Sequence, residues 1–400
     1  MHIISNRVES LASSQTLAMS QKSAELKAQG IDVINLSVGE PDFPTPRHIK
    51  DAAIRAIEDN FSFYSPVPGY MSLRKAIADK LSRENGVTFD PAQIVVGNGA
   101  KHALCNVIMA TVNPGDEVII PTPAWVSYVE MVKLAEGTPV LVPTGLVDDF
   151  KITPAQLEAA ITANTRAIIL CSPSNPTGSV YSRDELAGLV DVLARHPEVL
   201  IIADEIYEHI LYTGGEFVSI ASFEAIAART VIINGVSKAY AMTGWRIGYC
   251  AAPTAIAKAV TKLQGQYTSG ASSIAQKAAE AAYTGSQDCV EEMRQAFERR
   301  RDLVVRLARE IPGFEVNEPQ GAFYLFPKVD SYFGATTDDG RAIADGNDLA
   351  LYLLDVAHVA TVDGAAFCAP GYLRLSYATS DENLVEAFAR IKAALAALHK

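Results

Sequence analysis

No apolar run in this 400-residue chain reaches about 18 residues, so no membrane span is expected. Met1 to Ser10 mix polar and charged side chains and lack the apolar stretch of an export signal. No basic block stands out. With 34 Lys+Arg against 46 Asp+Glu the net charge is −12, which speaks against a nucleic-acid partner. Cysteine is sparse and odd in number: Cys105, Cys171, Cys250, Cys289 and Cys368. No two lie close enough in sequence for a zinc pair, so no metal site is expected. Most have apolar neighbours, as buried free thiols in a reducing cytoplasm do. There is no internal repeat and no low-complexity tract.

What is present is a globular balance, with 49% apolar and 20% charged residues. The length suggests two domains rather than one core. Between about residues 90 and 250, continuous apolar runs alternate with helical patterns. The runs are Gln93–Val96, Glu117–Ile120, Ala167–Leu170, Val199–Ile202 and Thr230–Ile233. Continuous rather than alternating apolarity marks strands covered on both faces. Thr153-Pro154-Ala155-Gln156 and Ser182-Arg183-Asp184-Glu185 read as capping boxes that open helices. The layout predicts an α/β fold with a mainly parallel central sheet and helices on both faces. The ends read differently: a helix over 15–29, a long charged helix over 286–311, short strands at Gly321–Phe326 and Tyr372–Tyr377, and a last helix from Asn383 to Leu398. Residues 1–45 and 286–400 are therefore expected to form one smaller α/β domain beside a large domain of residues 46–285.

The chemistry gathers where apolar runs end. Thr230–Ile233 leads into Asn234-Gly235-Val236-Ser237-Lys238, with Arg246 beyond it in Thr243-Gly244-Trp245-Arg246. A lysine at such a strand end sits at the crevice lip where α/β sheets bind ligands. A desolvated amine there loses its proton readily and can form a Schiff base. An arginine holds a phosphate with a planar fork of donors. Together they suggest pyridoxal phosphate, an aldehyde that carries a phosphate. The run to Ile202 ends in Asp204, an acid able to keep a pyridine nitrogen protonated, with Tyr207 three residues on. Tyr207 can donate to the phenolic oxygen of such a ring, and Asn175, in the rigid loop Ser172–Gly178, offers an amide to the same atom. Gly97-Asn98-Gly99-Ala100-Lys101 opens a helix, where exposed amides cradle an anion. Trp125 presents a flat ring that can stack on a cofactor. Taken singly, each has an ordinary alternative: a strand-capping lysine, a paired structural acid, a turn asparagine, a core tryptophan.

Taken together and in this order, these motifs resemble those of the class I/II aminotransferases, pyridoxal-phosphate enzymes of fold type I. The resemblance runs from Gly39-Glu40-Pro41-Asp42-Phe43 to Arg374-Leu375-Ser376. It implies that Lys238 is the Schiff-base lysine and proton shuttle, and that Asp204 pairs with the pyridine nitrogen. Asn175 and Tyr207 hold the phenolic oxygen, and Trp125 stacks on the ring. Arg246, Ser237 and the Gly99-Ala100-Lys101 amides surround the phosphate. Arg374 binds the substrate α-carboxylate, helped by Asn175 and the Gly39 backbone. The resemblance further implies a homodimer in which Tyr64 reaches the neighbouring subunit's phosphate, with amino acids and 2-oxo acids as substrates.

Within the family the chain is most similar to bacterial aspartate aminotransferases that carry a lysine in the phosphate-loop segment, here Lys101. That residue is expected to meet the substrate's side-chain carboxylate, since about Gln264–Ser273 has no arginine to do so. Some relatives also accept prephenate through a basic residue near the N-terminus. Leu11-Ala12-Ser13-Ser14 has none, which argues against that substrate. Broader or aromatic transamination and β-elimination are the competing enzyme readings. An aminotransferase-like transcription regulator is the non-enzyme one, and the chain has no spare segment for a DNA-binding module.

Overall fold

The computed structural model describes residues 3–12 and 15–399. Seven strands make the central sheet: β1 (Ile94–Gly97), β2 (Glu117–Thr122), β3 (Thr138–Pro143), β4 (Thr165–Cys171), β5 (Leu200–Asp204), β6 (Thr230–Gly235) and β7 (Gly248–Ala251). Their spatial order is β1-β7-β6-β5-β4-β2-β3. Only β7 is reversed, antiparallel to both β1 and β6. β1 therefore runs with the other five, and six strands end at one edge.

The continuous apolar runs are explained by burial on both faces. Along β6, Val231 and Ile233 pack with Leu104 and Val107 of the helix Ala100–Thr111. Ile232, between them, packs on the opposite face with Ile77 and Ala279 from the helices Met71–Glu84 and Ser273–Thr284. Both capping boxes form, with Gln156 N donating to Thr153 Oγ1 and Glu185 N to Ser182 Oγ, each at 3.3 Å.

Two strands have no counterpart in the sequence reading. β3 carries Pro139 and Pro143, which sheets tolerate at an edge, and β3 pairs only with β2. β7 has four residues and opens on glycine, too little for an apolar run. Conversely, the stretch Gly321–Phe326 keeps only Tyr324–Leu325 as strand.

The chain ends meet. Ile34–Asn35 pairs in parallel with Val359–Ala360. Tyr324–Leu325, Leu373–Ser376 and Val362–Asp363 form a three-stranded antiparallel sheet. Met19, Leu36, Phe297, Leu325 and Ile391 share one apolar cluster, so residues far apart in sequence pack as one body.

One close approach sets β7 against the start of the helix Ala100–Thr111. A Cβ on Gly248 would overlap Ala100 N and Gly99 C at the start of the helix Ala100–Thr111, whereas a Cβ on Gly244 meets nothing within 4 Å. Gly248→Ala is expected to lower stability by about 1–3 kcal/mol, the usual result of overpacking. Gly244→Ala should stay within about 0.5 kcal/mol of the parent. Urea unfolding of the two variants checks this, and equal midpoints would contradict it.

Candidate functional site

A cavity of about 320 Å³ opens at the edge where the six co-directional strands end. In the sheet, Cys171 lies opposite Asp204, and Asp204 opposite Ile233. The segments that follow β1, β2, β4, β5 and β6 therefore converge there, as parallel sheets dictate for their ligand sites. Lys238, Asp204, Tyr207, Asn175, Trp125, Ser237, Ala100, Lys101, Arg246, Gly39 and Arg374 all line the cavity. Gly99 abuts it, since a Cβ there would overlap the Arg246 guanidinium. Of the residues singled out in sequence, only Tyr64 stands apart. It lies outside the cavity and is 98% exposed.

Lys238 Nζ donates to Gly39 O at 2.6 Å and sits 5.8 Å from the Tyr207 and Phe323 ring centroids. Burial pulls its amine down to about 8. Glu40 opposes that fall, while Arg374 and Arg246 reinforce it. Asp204 is buried at the end of β5. Burial pushes its carboxyl up to about 6, against the Tyr128 hydroxyl that donates at 2.7 Å and the Ile206 amide at 3.3 Å.

Arg374 is buried on the short strand Leu373–Ser376. Its Nη1 donates to Asn175 Oδ1 at 3.1 Å and its Nη2 to Ser37 O at 2.6 Å. The guanidinium lies 4.7 Å from the Tyr324 ring centroid and 4.8 Å from that of Phe367. Its Nε is buried without a hydrogen-bond partner among the described residues. A buried cationic donor left without a partner is costly.

On the opposite side, the helix Ala100–Thr111 begins at Gly99, whose φ of +89° favours glycine, and no side chain caps it. Arg246 lies beside this start, donating to Thr243 O at 2.9 Å and Asn98 O at 3.3 Å. Lys101 Nζ sits 4.8 Å over the Trp125 ring. Burial, then Arg246, lowers its amine below the ordinary lysine value. The stretch Leu11–Ser14 that bears on prephenate ends in Ser13 and Ser14, which lie outside the described residues.

Sequence reasoning missed three contributors. Tyr128 bonds Asp204, and stands one helical turn from Trp125, whose ring it meets edge-on at 5.4 Å. Tyr324 shares a hydroxyl contact of 2.8 Å with Tyr207. Glu40 lines the cavity and accepts from Thr243 Oγ1 at 2.6 Å. Only Glu40 had a local signal, its place beside Gly39. The tyrosines come together through tertiary packing.

Known proteins match this chain along its length. The family model for aminotransferase class I and II matches residues 31–391. The aspartate/prephenate aminotransferase of Cereibacter sphaeroides is 49% identical, with all of both chains covered. The aspartate aminotransferase from Rhizobium meliloti superposes with a TM-score of 0.96 at 45% identity, again over all of both chains. The aspartate aminotransferase from Thermus thermophilus with maleate gives a TM-score of 0.92 at 40% identity, covering 98% of this chain and 100% of that one. With that family model spanning most of the chain and relatives matched along their whole length, the chain belongs to the class I and II aminotransferases.

Proposed function

We propose that this aminotransferase uses pyridoxal 5'-phosphate to move an amino group from aspartate to 2-oxoglutarate, giving oxaloacetate and glutamate by a ping-pong course. The observation that carries the reading is the buried guanidinium of Arg374, bonded to Asn175, lining the same cavity as Lys238 and Asp204. The residues present fit the cofactor. The uncapped helix start, the bare Gly99 and Arg246 suit a phosphate. Asp204 suits a pyridinium nitrogen, and Trp125 offers a ring face. When bound, pyridoxal phosphate supplies a carbonyl that accepts the amino group and a protonated ring that draws off the electron pair freed at the substrate Cα.

The chain's own residues then divide the work. Arg374 and Asn175 hold the α-carboxylate, with the Gly39 backbone beside it. Lys238 Nζ would take the proton from the substrate Cα and deliver it to the carbon that bore the cofactor's carbonyl, and the second half-reaction would run the same transfer backwards. Its lowered basicity suits both directions near neutral pH. Asp204, bonded by Tyr128, holds the ring nitrogen's proton. Tyr207, steadied by Tyr324, and Asn175 hold the phenolic oxygen. Ser237, Arg246 and the amides of Gly99, Ala100 and Lys101 hold the phosphate.

Lys101 is assigned to the second carboxylate of a dicarboxylic substrate. The Thermus thermophilus aspartate aminotransferase was solved with maleate, itself a dicarboxylate, which supports that assignment. Prephenate appears in the name of the Cereibacter sphaeroides relative. The lack of a basic residue in Leu11-Ala12-Ser13-Ser14 predicts weak use of it here. Residues 46–285 are taken as the large domain, and 1–45 with 286–400 as the small one; the cluster that holds Leu36, Leu325 and Ile391 together supports joining the two chain ends. The working form is proposed to be a cytoplasmic homodimer. The exposed Phe63, Tyr64 and Tyr267 support a covering second copy, and the five free thiols support the compartment.

Uptake of pyridoxal phosphate by the apo protein tests Lys238. Only the neutral amine attacks a carbonyl, and Lys238 is cationic below its value of about 8. The uptake rate, followed by visible absorbance, should rise with pH through about 8 and level off above it. Lys238→Ala should lose both this capture and nearly all turnover. Transamination by Lys238→Ala at the parent rate would refute the assignment.

Substrate choice tests Lys101. A hydrogen bond between charged groups contributes about 1.5–3 kcal/mol, or roughly ten- to hundredfold in kcat/KM. Lys101→Ala should weaken aspartate and glutamate by that factor and spare alanine and phenylalanine. A uniform loss across donors would instead place Lys101 on the phosphate.

The shared site is tested by mixing inactive chains. If Tyr64 crosses between subunits, a heterodimer of Lys238→Ala and Tyr64→Ala has one intact site and one doubly damaged. Activity well above either homodimer is expected, and a monomer in sedimentation would exclude the arrangement.

A further inference from the structure

The turn after Asp204 carries two more acids, Glu205 and Glu208. Both are buried, and neither lines the cavity. Glu208 pairs with Lys80, which is 1% exposed and belongs to the helix Met71–Glu84. The Glu208 carboxylate also accepts from Asn85 Nδ2 at 2.6 Å and from Asn234 Nδ2 at 2.7 Å. Asn234 lies on β6, four residues before Lys238, and its Oδ1 accepts from the Gly235 amide at 2.7 Å. One carboxylate thus ties together a surface helix, the turn that carries Tyr207, and the strand end that leads to Lys238. A backbone bond runs beside it, from Glu205 N to Ile233 O at 2.9 Å.

The charges are balanced for this arrangement. Burial alone would raise Glu208, yet Lys80 and His209 hold its carboxyl below the ordinary range. Burial, then Glu208, pushes Glu205 up to about 8, and Ser219 Oγ bonds its Oε1 at 2.6 Å. At neutral pH Glu205 keeps its proton, so of the two acids on this turn only Glu208 is charged against Lys80. His209 and Lys80 both reach Glu84, which closes the cluster toward solvent. A buried ion pair is a poor source of stability, because desolvation offsets the attraction and an apolar pair would hold the core as well. Its place behind Asp204 and Tyr207 calls for a positional reason.

We propose that Glu208 is a positioning residue for the transamination assigned above, and so rests on that reading: bound to Lys80, Asn85 and Asn234, its carboxylate sets the 204–208 turn against the end of β6, and with it the spacing of Asp204 and Tyr207 from Lys238. Glu208 touches neither cofactor nor substrate. It acts through the two side chains that do.

Asn234→Ala is the principal test, because it cuts the tie to β6 and leaves the Lys80–Glu208 pair whole. Glu208→Gln is the second. Each is prepared as the pyridoxal-phosphate-loaded protein, and far-UV circular dichroism establishes folding. In both, kcat with aspartate and 2-oxoglutarate should fall about 10- to 100-fold, the scale of an ångström misplacement. KM for aspartate, set by Arg374, should stay near the parent value. The pH midpoint of the bound cofactor's visible band should also move, since the group facing the ring nitrogen has shifted. In a Tyr207→Phe background, Asn234→Ala should cost less than in the parent, because one of the two groups it positions is already gone. Parent kcat and parent midpoint in folded Asn234→Ala would overturn the proposal, and so would equal losses in both backgrounds. If Glu208→Gln fails to fold, the Asn234→Ala result decides. A parent protein that takes up no pyridoxal phosphate overturns the aminotransferase reading and this one together, whereas an active parent with unaffected variants overturns this one alone.

Discussion

Lys238, Asp204 and Arg374 are all held out of water in one cavity, and desolvation is the largest influence on each. Burial weakens the amine as a cation, weakens the carboxyl as an acid and lowers the guanidinium's hold on its proton. Such a cluster persists only if each group has partial compensation. Lys238 has the Gly39 carbonyl, Asp204 the Tyr128 hydroxyl, and Arg374 the Asn175 and Ser37 oxygens. The compensation stops short at Arg374 Nε, which is buried without a hydrogen-bond partner among the described residues.

The compensation also joins parts of the chain far apart in sequence. The segment around Gly39 supplies the carbonyl for Lys238 and the carboxylate for Thr243. A few residues on, Thr45 Oγ1 donates to Ala241 O at 2.7 Å and accepts from Trp245 Nε1 at 3.0 Å. Between them, Asp42 takes both guanidinium nitrogens of Arg300 at 2.7 and 2.9 Å, anchoring the segment to the long helix Asp288–Arg309. The loop that carries the lysine is thus latched to a strap that is itself latched to the C-terminal third.

Much of this was legible in the chain. A run such as Thr230–Ile233 is apolar at every position because β6 is covered on both faces, so pattern alone identifies it as an interior parallel strand. Once the strands are parallel, their ends share an edge, and Asp204 and Lys238 must lie near one another. That inference needs no distances. The capping boxes at Thr153 and Ser182 are local for the same reason: donor and acceptor lie within one turn.

Tertiary structure decided what local signals do not encode. β7 is reversed between β1 and β6, yet its four residues carry no mark of direction. Tyr128 and Tyr324 reach Asp204 and Tyr207 across 76 and 117 residues of chain, and a tyrosine that will bond an acid looks the same in sequence as one that fills a core. Lys80 and Glu208 lie 128 residues apart, and polar residues on a helix and a turn ordinarily read as surface. Composition and periodicity marked five of the seven strands and the edge at which they end, because those follow from burial along one element. The partners that tune and hold the reactive groups were set only when separate elements packed, because desolvation and pairing depend on what arrives from elsewhere in the chain.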